Sequence, residues 1–312
     1  ELLFVLTLVL FLFSFIFATN ANMAYVQRFI SSGDEFQIGQ TRFRFIDEPE
    51  APAAPPAATA AEPARVELRL VASATGVPLP GFDFPDHAYP FPAAPLGADV
   101  AVSLDGVPGG GNYDLEARLV AQADGRILGQ DAVTQIAVGD VFLAVGQSNM
   151  SGYSGTLAGA EEPVDNVHLF GNDYLWKRAS EPMDDGTDQV DRVSAEFPQH
   201  SLMLRFAKDL SAGIGVPVAI VPAPLGGTNL YSQWQRNAAD PDNRGTLYGS
   251  SIHRVQALGY AHPIRGVLWY QGESDAGRGT ALYLADLRNL VANYRSDLAN
   301  PDLFFGNCQL AN

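Results

Sequence analysis

From Val141 to Val145 every position is apolar, a run of Val, Phe, Leu and Ala that suits a strand buried on both faces of a parallel sheet. Gly146 ends the run, and Gln147, Ser148 and Asn149 follow as small polar residues suited to a sharp strand-to-helix turn. Short apolar runs then alternate with amphipathic stretches. Strands are predicted over 216–221, 266–270 and 303–310, and helices over 202–210, 250–258 and 280–298. The last helix carries Leu287, Leu290, Val291, Tyr294 and Leu298 on one face. This alternation predicts a parallel α/β domain over residues 139–312.

Upstream the period changes to two. Val66–Val71, Val100–Leu104, Tyr113–Val120 and Ala132–Val138 alternate apolar and polar residues, with turn clusters at Asp105-Gly106 and Gly109–Asn112. Short strands at this spacing predict a small β-sandwich-like domain over 66–138. Residues 47–65 are rich in Pro and Ala and read as an extended spacer, and 20–46 as a juxtamembrane segment. Leu2 to Ala18 is uncharged and rich in Leu and Phe, close to the roughly 20 residues a bilayer-spanning helix needs. An N-terminal transmembrane helix over 1–19 is the expectation, with an uncleaved secretory signal as the competing reading. Either places the soluble domains outside the cytoplasm, periplasmic or extracellular, and an anchor would allow membrane-protein partners.

The chain has 312 residues, 47% hydrophobic and 17% charged, with a net charge of −16. That charge argues against nucleic acid and against adsorption to an anionic membrane surface. Cys308 is the only cysteine, so no internal disulfide forms, and no Cys/His cluster has metal-ligand spacing. Neither a metal nor a cofactor is expected.

Three strand ends carry candidate chemistry. A serine after the first buried strand holds its hydroxyl at the carboxyl edge of the sheet, where open α/β sheets place their sites, and can turn its own N–H toward a developing oxyanion. Gly-Gln-Ser-Asn also reads as a plain polar turn. The second strand ends in Gly226-Gly227-Thr228, where paired glycines let a backbone N–H approach a ligand, or simply make a turn. The third ends in Gln271-Gly272-Glu273-Ser274-Asp275. There an amide can donate to an oxyanion, and Glu273 can orient a base or brace the loop. Ser274 or Asp275 fits an N-cap of the next helix.

Together the blocks Gly146–Met150, Gly226–Trp234 and Trp269–Ser274 resemble the SGNH-hydrolase superfamily, in its sialate O-acetylesterase and acetyl-xylan-esterase-like branch of carbohydrate esterases. The resemblance covers about Val138 to Leu310. It implies a flavodoxin-like three-layer α/β domain, an acetylated carbohydrate substrate, and Ser148 as nucleophile with its own N–H in the oxyanion hole. Gly227, or Gly226, would supply a second N–H, Gln271 the third donor, and Glu273 a supporting carboxylate. Gln147, Asn149, Gly226 and Thr228 would line the substrate side.

The family's base is a histidine in an Asp-x-x-His block after the last strand, which does not occur before Asn312. A serine hydroxyl is a weak nucleophile without a base to take its proton. His200, His253 and His262 do not stand at carboxyl strand ends and are poor substitutes. Two readings follow: an anchored O-acetylesterase whose base lies beyond residue 312, or an inactive hydrolase-like accessory subunit of a membrane assembly.

Overall fold

The uncharged N-terminal run contains a strand rather than the expected helix. In the computed structural model, which describes residues 5–11, 35–38, 41–45, 64–91, 101–153, 155–156, 161–194, 197–258, 264–308 and 310, Val5–Phe11 forms β1. No helix among the described residues is long and apolar enough to cross a membrane. An apolar run without periodicity is compatible with either element, and here long-range pairing decides it as a strand. The remainder of 1–19, most of the 20–65 segment and His262 lie outside the described residues.

The chain divides into two compact units, Glu1–Val138 and Gly139–Asn312. The first is all β: β1, β2 (Glu35–Ile38), β3 (Thr41–Phe45), β4 (Ala64–Ala72), β5 (Val77–Pro78), β6 (His87–Phe91), β7 (Ala101–Asp105), β8 (Gly110–Ala121) and β9 (Ile127–Val138). One antiparallel sheet has the order β2-β3-β1-β7, with Leu8 paired to both Phe45 and Val102. The other runs β5-β4-β8-β9, with β6 also paired to β4. Alternation places Val66, Leu68 and Leu70 of β4 and Leu115 and Ala117 of β8 in one buried cluster, which Leu104 of the other sheet joins. The β structure therefore begins well before residue 66, and β4 starts inside the expected spacer. Glu67, on the opposite face of β4, is buried because Arg65 and Arg118 each hold it at 2.6 Å.

The second unit contains β10 (Asp140–Gly146), α1 (Ser148–Ser151), β11 (Val167–Phe170), β12 (Trp176–Arg178), α2 (Met203–Ile214), β13 (Val218–Pro222), α3 (Leu247–Gln256), β14 (Gly266–Tyr270), α4 (Thr280–Asp297) and β15 (Phe304–Asn307). Strand order is β12-β11-β13-β10-β14-β15, parallel throughout except the β11/β12 hairpin pairing. Phe142 and Ala144 face α2, with Phe206 edge-on to Phe142 at 5.3 Å. On the other face Tyr294 of α4 packs against Phe305, and Tyr248 of α3 against Tyr294. Helices thus cover both faces, which is why β10 and β13 are apolar at nearly every position.

Topology locates the site. β10 lies between β13 and β14, and the chain crosses β10 to pass from one to the other. The loops leaving those two strands therefore flank the end of β10, the switch point at which open α/β sheets bind ligands.

Gly146 makes this junction possible. It has φ 138°, and a Cβ placed there would lie 2.1 Å from Tyr270 O. Gly146→Ala is expected to cost about 3 kcal/mol or more, from backbone strain and displacement of β14. Gly213, in the last turn of α2, has open space around it, and Gly213→Ala is expected to stabilise by about 0.5 kcal/mol. Urea denaturation of both variants checks the contrast.

Candidate active site

Ser148 opens α1 directly after the Gly146-Gln147 turn. Its hydroxyl has no hydrogen-bond partner among the described residues. The N–H of a first helical residue has no partner inside its helix, and Ser148 N makes no other described bond. Two backbone bonds hold the turn: Gln147 N donates to Tyr270 O at 2.9 Å, and Leu225 N donates to Gly146 O at 3.1 Å. The loops from β13 and β14 are thereby tied to the serine turn itself.

The β13 loop comes up against the serine. A Cβ on Gly226 would lie 3.5 Å from Ser148 Cβ and 3.9 Å from Ser148 N, so Gly226 stands against the serine. Gly227 adopts φ 73°, a left-handed conformation that glycine takes without strain. Ser148 and Gly226 are thus brought together, with Gly227 the next residue along the loop.

Two other expected residues are placed differently. Thr228 is 2% exposed. Its hydroxyl donates to Leu225 O at 2.7 Å and accepts from Trp234 Nε1 at 3.0 Å, so it braces the loop. Gln147 is 3% exposed, and its Oε1 accepts from Ser274 N at 3.3 Å, which joins the first and third loops from below. Asn149 is half-exposed and donates from Nδ2 to Glu273 Oε1 at 2.7 Å, so Glu273 braces the mouth as the sequence allowed.

Gln271 stands at the end of β14, but its carboxamide is committed. Nε2 donates to Thr228 O at 3.1 Å and to Asp275 Oδ2 at 2.5 Å, while Oε1 accepts from Tyr283 O–H at 2.9 Å. Both amide hydrogens are engaged, which leaves none for an oxyanion in this arrangement. Neither Ser274 nor Asp275 caps the following helix, whose N-cap is Gly279. Asp275 is instead buried and also accepts from Leu230 N at 2.8 Å.

Of the described histidines, none hydrogen-bonds Ser148. His168 is buried in β11, where burial depresses its imidazole to about 4. His200 forms an isolated bridge with Tyr153, and the ring of His253 lies 6.0 Å from that of Tyr174. Cys308 is half-buried, and burial pushes its thiol up, away from nucleophilic character. No group of acidic, His or Cys residues able to hold a metal occurs among the described residues.

Behind the site lies a polar hub that sequence patterning did not reveal. Arg254 of α3 is fully buried. It donates to Asp191 at 3.0 Å, to Ser194 Oγ at 3.0 Å, to Asn172 Oδ1, and to Pro222 O at the end of β13. Burial works against the Asp191 carboxylate, but bonds from Ser250, Arg254 and Tyr174 outweigh it and hold Asp191 below its usual range. A signal was available: Leu247, Ser250, Ser251 and Arg254 share one helix face, and a charge on a buried face implies a partner. Asp184, fully buried beside Asn172, has its carboxyl pushed up to about 7 by burial.

A serine-bearing turn at the switch point of a parallel α/β sheet, flanked by a glycine loop and a Gln-Gly-Glu loop, is the layout of an SGNH-type esterase domain. The family described as carbohydrate esterase, sialic acid-specific acetylesterase, matches residues 138–312, more than half of the chain, and the chain belongs to that family. It is 28% identical over 182 residues to an Arabidopsis thaliana protein described as a probable carbohydrate esterase. That match covers 52% of this chain and 65% of the relative, so the chain spans just under two thirds of the relative's length. Among solved structures it is similar to a carbohydrate acetylesterase from Xanthomonas citri, with 25% identity, a TM-score of 0.48, and coverage of 81% of this chain and 55% of that one. An Arabidopsis thaliana protein is similar at 23% identity and a TM-score of 0.44, over 55% and 74% of the two chains.

Removing Arg254 leaves Asp191 buried without its main counter-charge, and Arg254→Leu is expected to cost about 3–5 kcal/mol in chemical denaturation. Asp184 gives a pH signature. The unfolded chain releases this proton near 3.8 while the folded protein keeps it to about 7, so its contribution makes stability fall as pH rises through that window. Asp184→Asn should remove a decline on the order of 4 kcal/mol between pH 4 and 7, measured by denaturation at stepped pH.

Proposed function

We propose that this chain is the esterase part of a carbohydrate O-acetylesterase that works through Ser148. The observation that carries the reading is the convergence at one strand end. An unengaged serine hydroxyl stands there with its own free N–H, and Gly226, next in the chain to Gly227, lies against the serine. Ser148 Oγ attacks the acetyl carbonyl carbon, and the carbonyl oxygen becomes an oxyanion that accepts from the N–H groups of Ser148 and Gly227. Collapse of the tetrahedral adduct breaks the bond to the sugar oxygen, which leaves as a hydroxyl, and water then releases acetate from the acyl-serine. Glu273 and Asn149 frame the mouth as a hydrogen-bonded pair that a sugar hydroxyl can share.

The proton acceptor in this reading is the histidine of the Asp-x-x-His block that SGNH esterases carry after the last strand. Membership of the acetylesterase family supports an acetylated carbohydrate as substrate. An extracytoplasmic setting is proposed only on the apolar composition of Leu2–Ala18, read as a secretory signal and not as a spanning helix, and fractionation of the full-length protein tests that point separately.

Ser148→Ala in the full-length protein is expected to lower hydrolysis of acetylated sugars and of p-nitrophenyl acetate by at least about 10³-fold, with unchanged melting temperature. Hydrolysis that survives this substitution would overturn the reading.

A further inference from the structure

We infer that Asp275 is a positioning residue for the glycine loop, and that Gln271 acts through it as a tie between loops rather than as an oxyanion donor. The inference rests on the esterase reading for its catalytic consequence, but its structural content stands alone. Asp275 is 5% exposed and lies in the short 3₁₀ turn Glu273–Asp275. One of its oxygens, Oδ2, accepts from two donors that belong to different loops: Gln271 Nε2 and Leu230 N, at 2.5 and 2.8 Å. The other hydrogen on Gln271 Nε2 goes to Thr228 O, and Tyr283 O–H is shared between Gln271 Oε1 and the Gln271 backbone carbonyl at the opposite end. Trp269 Nε1 in turn donates to Tyr283 Oη at 3.1 Å, which fixes that hydroxyl.

This chain of bonds grips the segment on the far side of Gly227 at two points, the carbonyl of Thr228 and the N–H of Leu230. Gly227 sits in a left-handed conformation with nothing within 4 Å of where a Cβ would be, so no side-chain packing there holds the direction of its N–H. On the near side the loop is held by Leu225 N to Gly146 O and by the Thr228 hydroxyl to Leu225 O, and on the far side by the grip at residues 228 and 230. A glycine N–H that must meet an oxyanion has to be aimed before the reaction, and a misplacement of about 1 Å costs about 100-fold in rate.

The second oxygen, Oδ1, is buried with no partner among the described residues. The carboxylate is therefore used for the acceptor capacity of one oxygen. Asparagine offers the same oxygen in the same place, whereas alanine strands the Gln271 and Leu230 N–H groups. This separates the role from that of a catalytic acid partner to a histidine. For such a partner the amide variant costs about 10⁴-fold, because it stabilises the wrong histidine tautomer.

The test compares Asp275→Ala and Asp275→Asn in the full-length protein by two readouts. In amide hydrogen exchange, Asp275→Ala should speed exchange at Leu230 at least about tenfold while core amides of β10 and β13 keep their protection, and Asp275→Asn should stay near the wild type. In kinetics on an acetylated sugar, Asp275→Ala should lower kcat about 100-fold with KM held, and Asp275→Asn should recover to within about threefold. Unchanged Leu230 exchange in Asp275→Ala, or an Asp275→Asn variant as damaged as Asp275→Ala, would overturn the inference. A wild-type protein that hydrolyses nothing would sink the esterase reading alone, with the exchange comparison still deciding the role of Asp275.

Discussion

The site depends on one constraint: β10 is hydrogen-bonded on both sides by parallel strands that arrive from later in the chain. Its register sets Ala144 opposite Pro222 and Gly146 opposite Tyr270. The last residue of β10 is therefore level with the end of β14 and just past the end of β13. The bonds Gln147 N to Tyr270 O and Leu225 N to Gly146 O extend the ladder past the sheet edge into the loops. Each such bond contributes only about 1 kcal/mol net. Together they leave three loops little freedom to separate, and a Cβ at Gly146 would break the contact at its centre.

The second consequence is a division of labour among polar side chains. Those nearest the opening, Ser148, Asn149 and Glu273, keep solvent contact, and Ser148 keeps an unengaged hydroxyl. Those one layer down, Gln147, Thr228, Gln271 and Asp275, are buried and bonded between loops. Deeper still, Arg254 gathers Asp191, Asn172, Ser194 and the Pro222 carbonyl beneath β13. Burial forces the middle and lower layers to satisfy their polar atoms internally, which makes them rigid supports.

How far the chain could be read depended on periodicity. Strands buried on both faces were legible because short apolar runs such as Val141–Val145, ended by Gly146, alternate with amphipathic stretches, and the three motif blocks marked the strand ends that meet. The hairpin β11–β12 was missed because four and three residues are too short for a pattern. Val5–Phe11 was expected to be helical because a Leu/Phe run carries no period, and only pairing with β3 and β7 settles it. The hydrogen-bond partners of Thr228 and Gln271 were not legible for a different reason. Residue type says that a group can donate, while only the fold says whether its hydrogens are already taken. Asp275 is four residues after Gln271, yet nothing in that spacing distinguishes a cap from a clamp.

The central claim is that Ser148 is the reactive nucleophile at this junction. Intact-mass and peptide mass spectrometry of the full-length protein after treatment with a fluorophosphonate probe tests it most directly. The account predicts a single adduct, on the peptide containing Ser148, blocked by prior incubation with an acetylated sugar. Modification at another serine, or none at all in a folded protein, would contradict it.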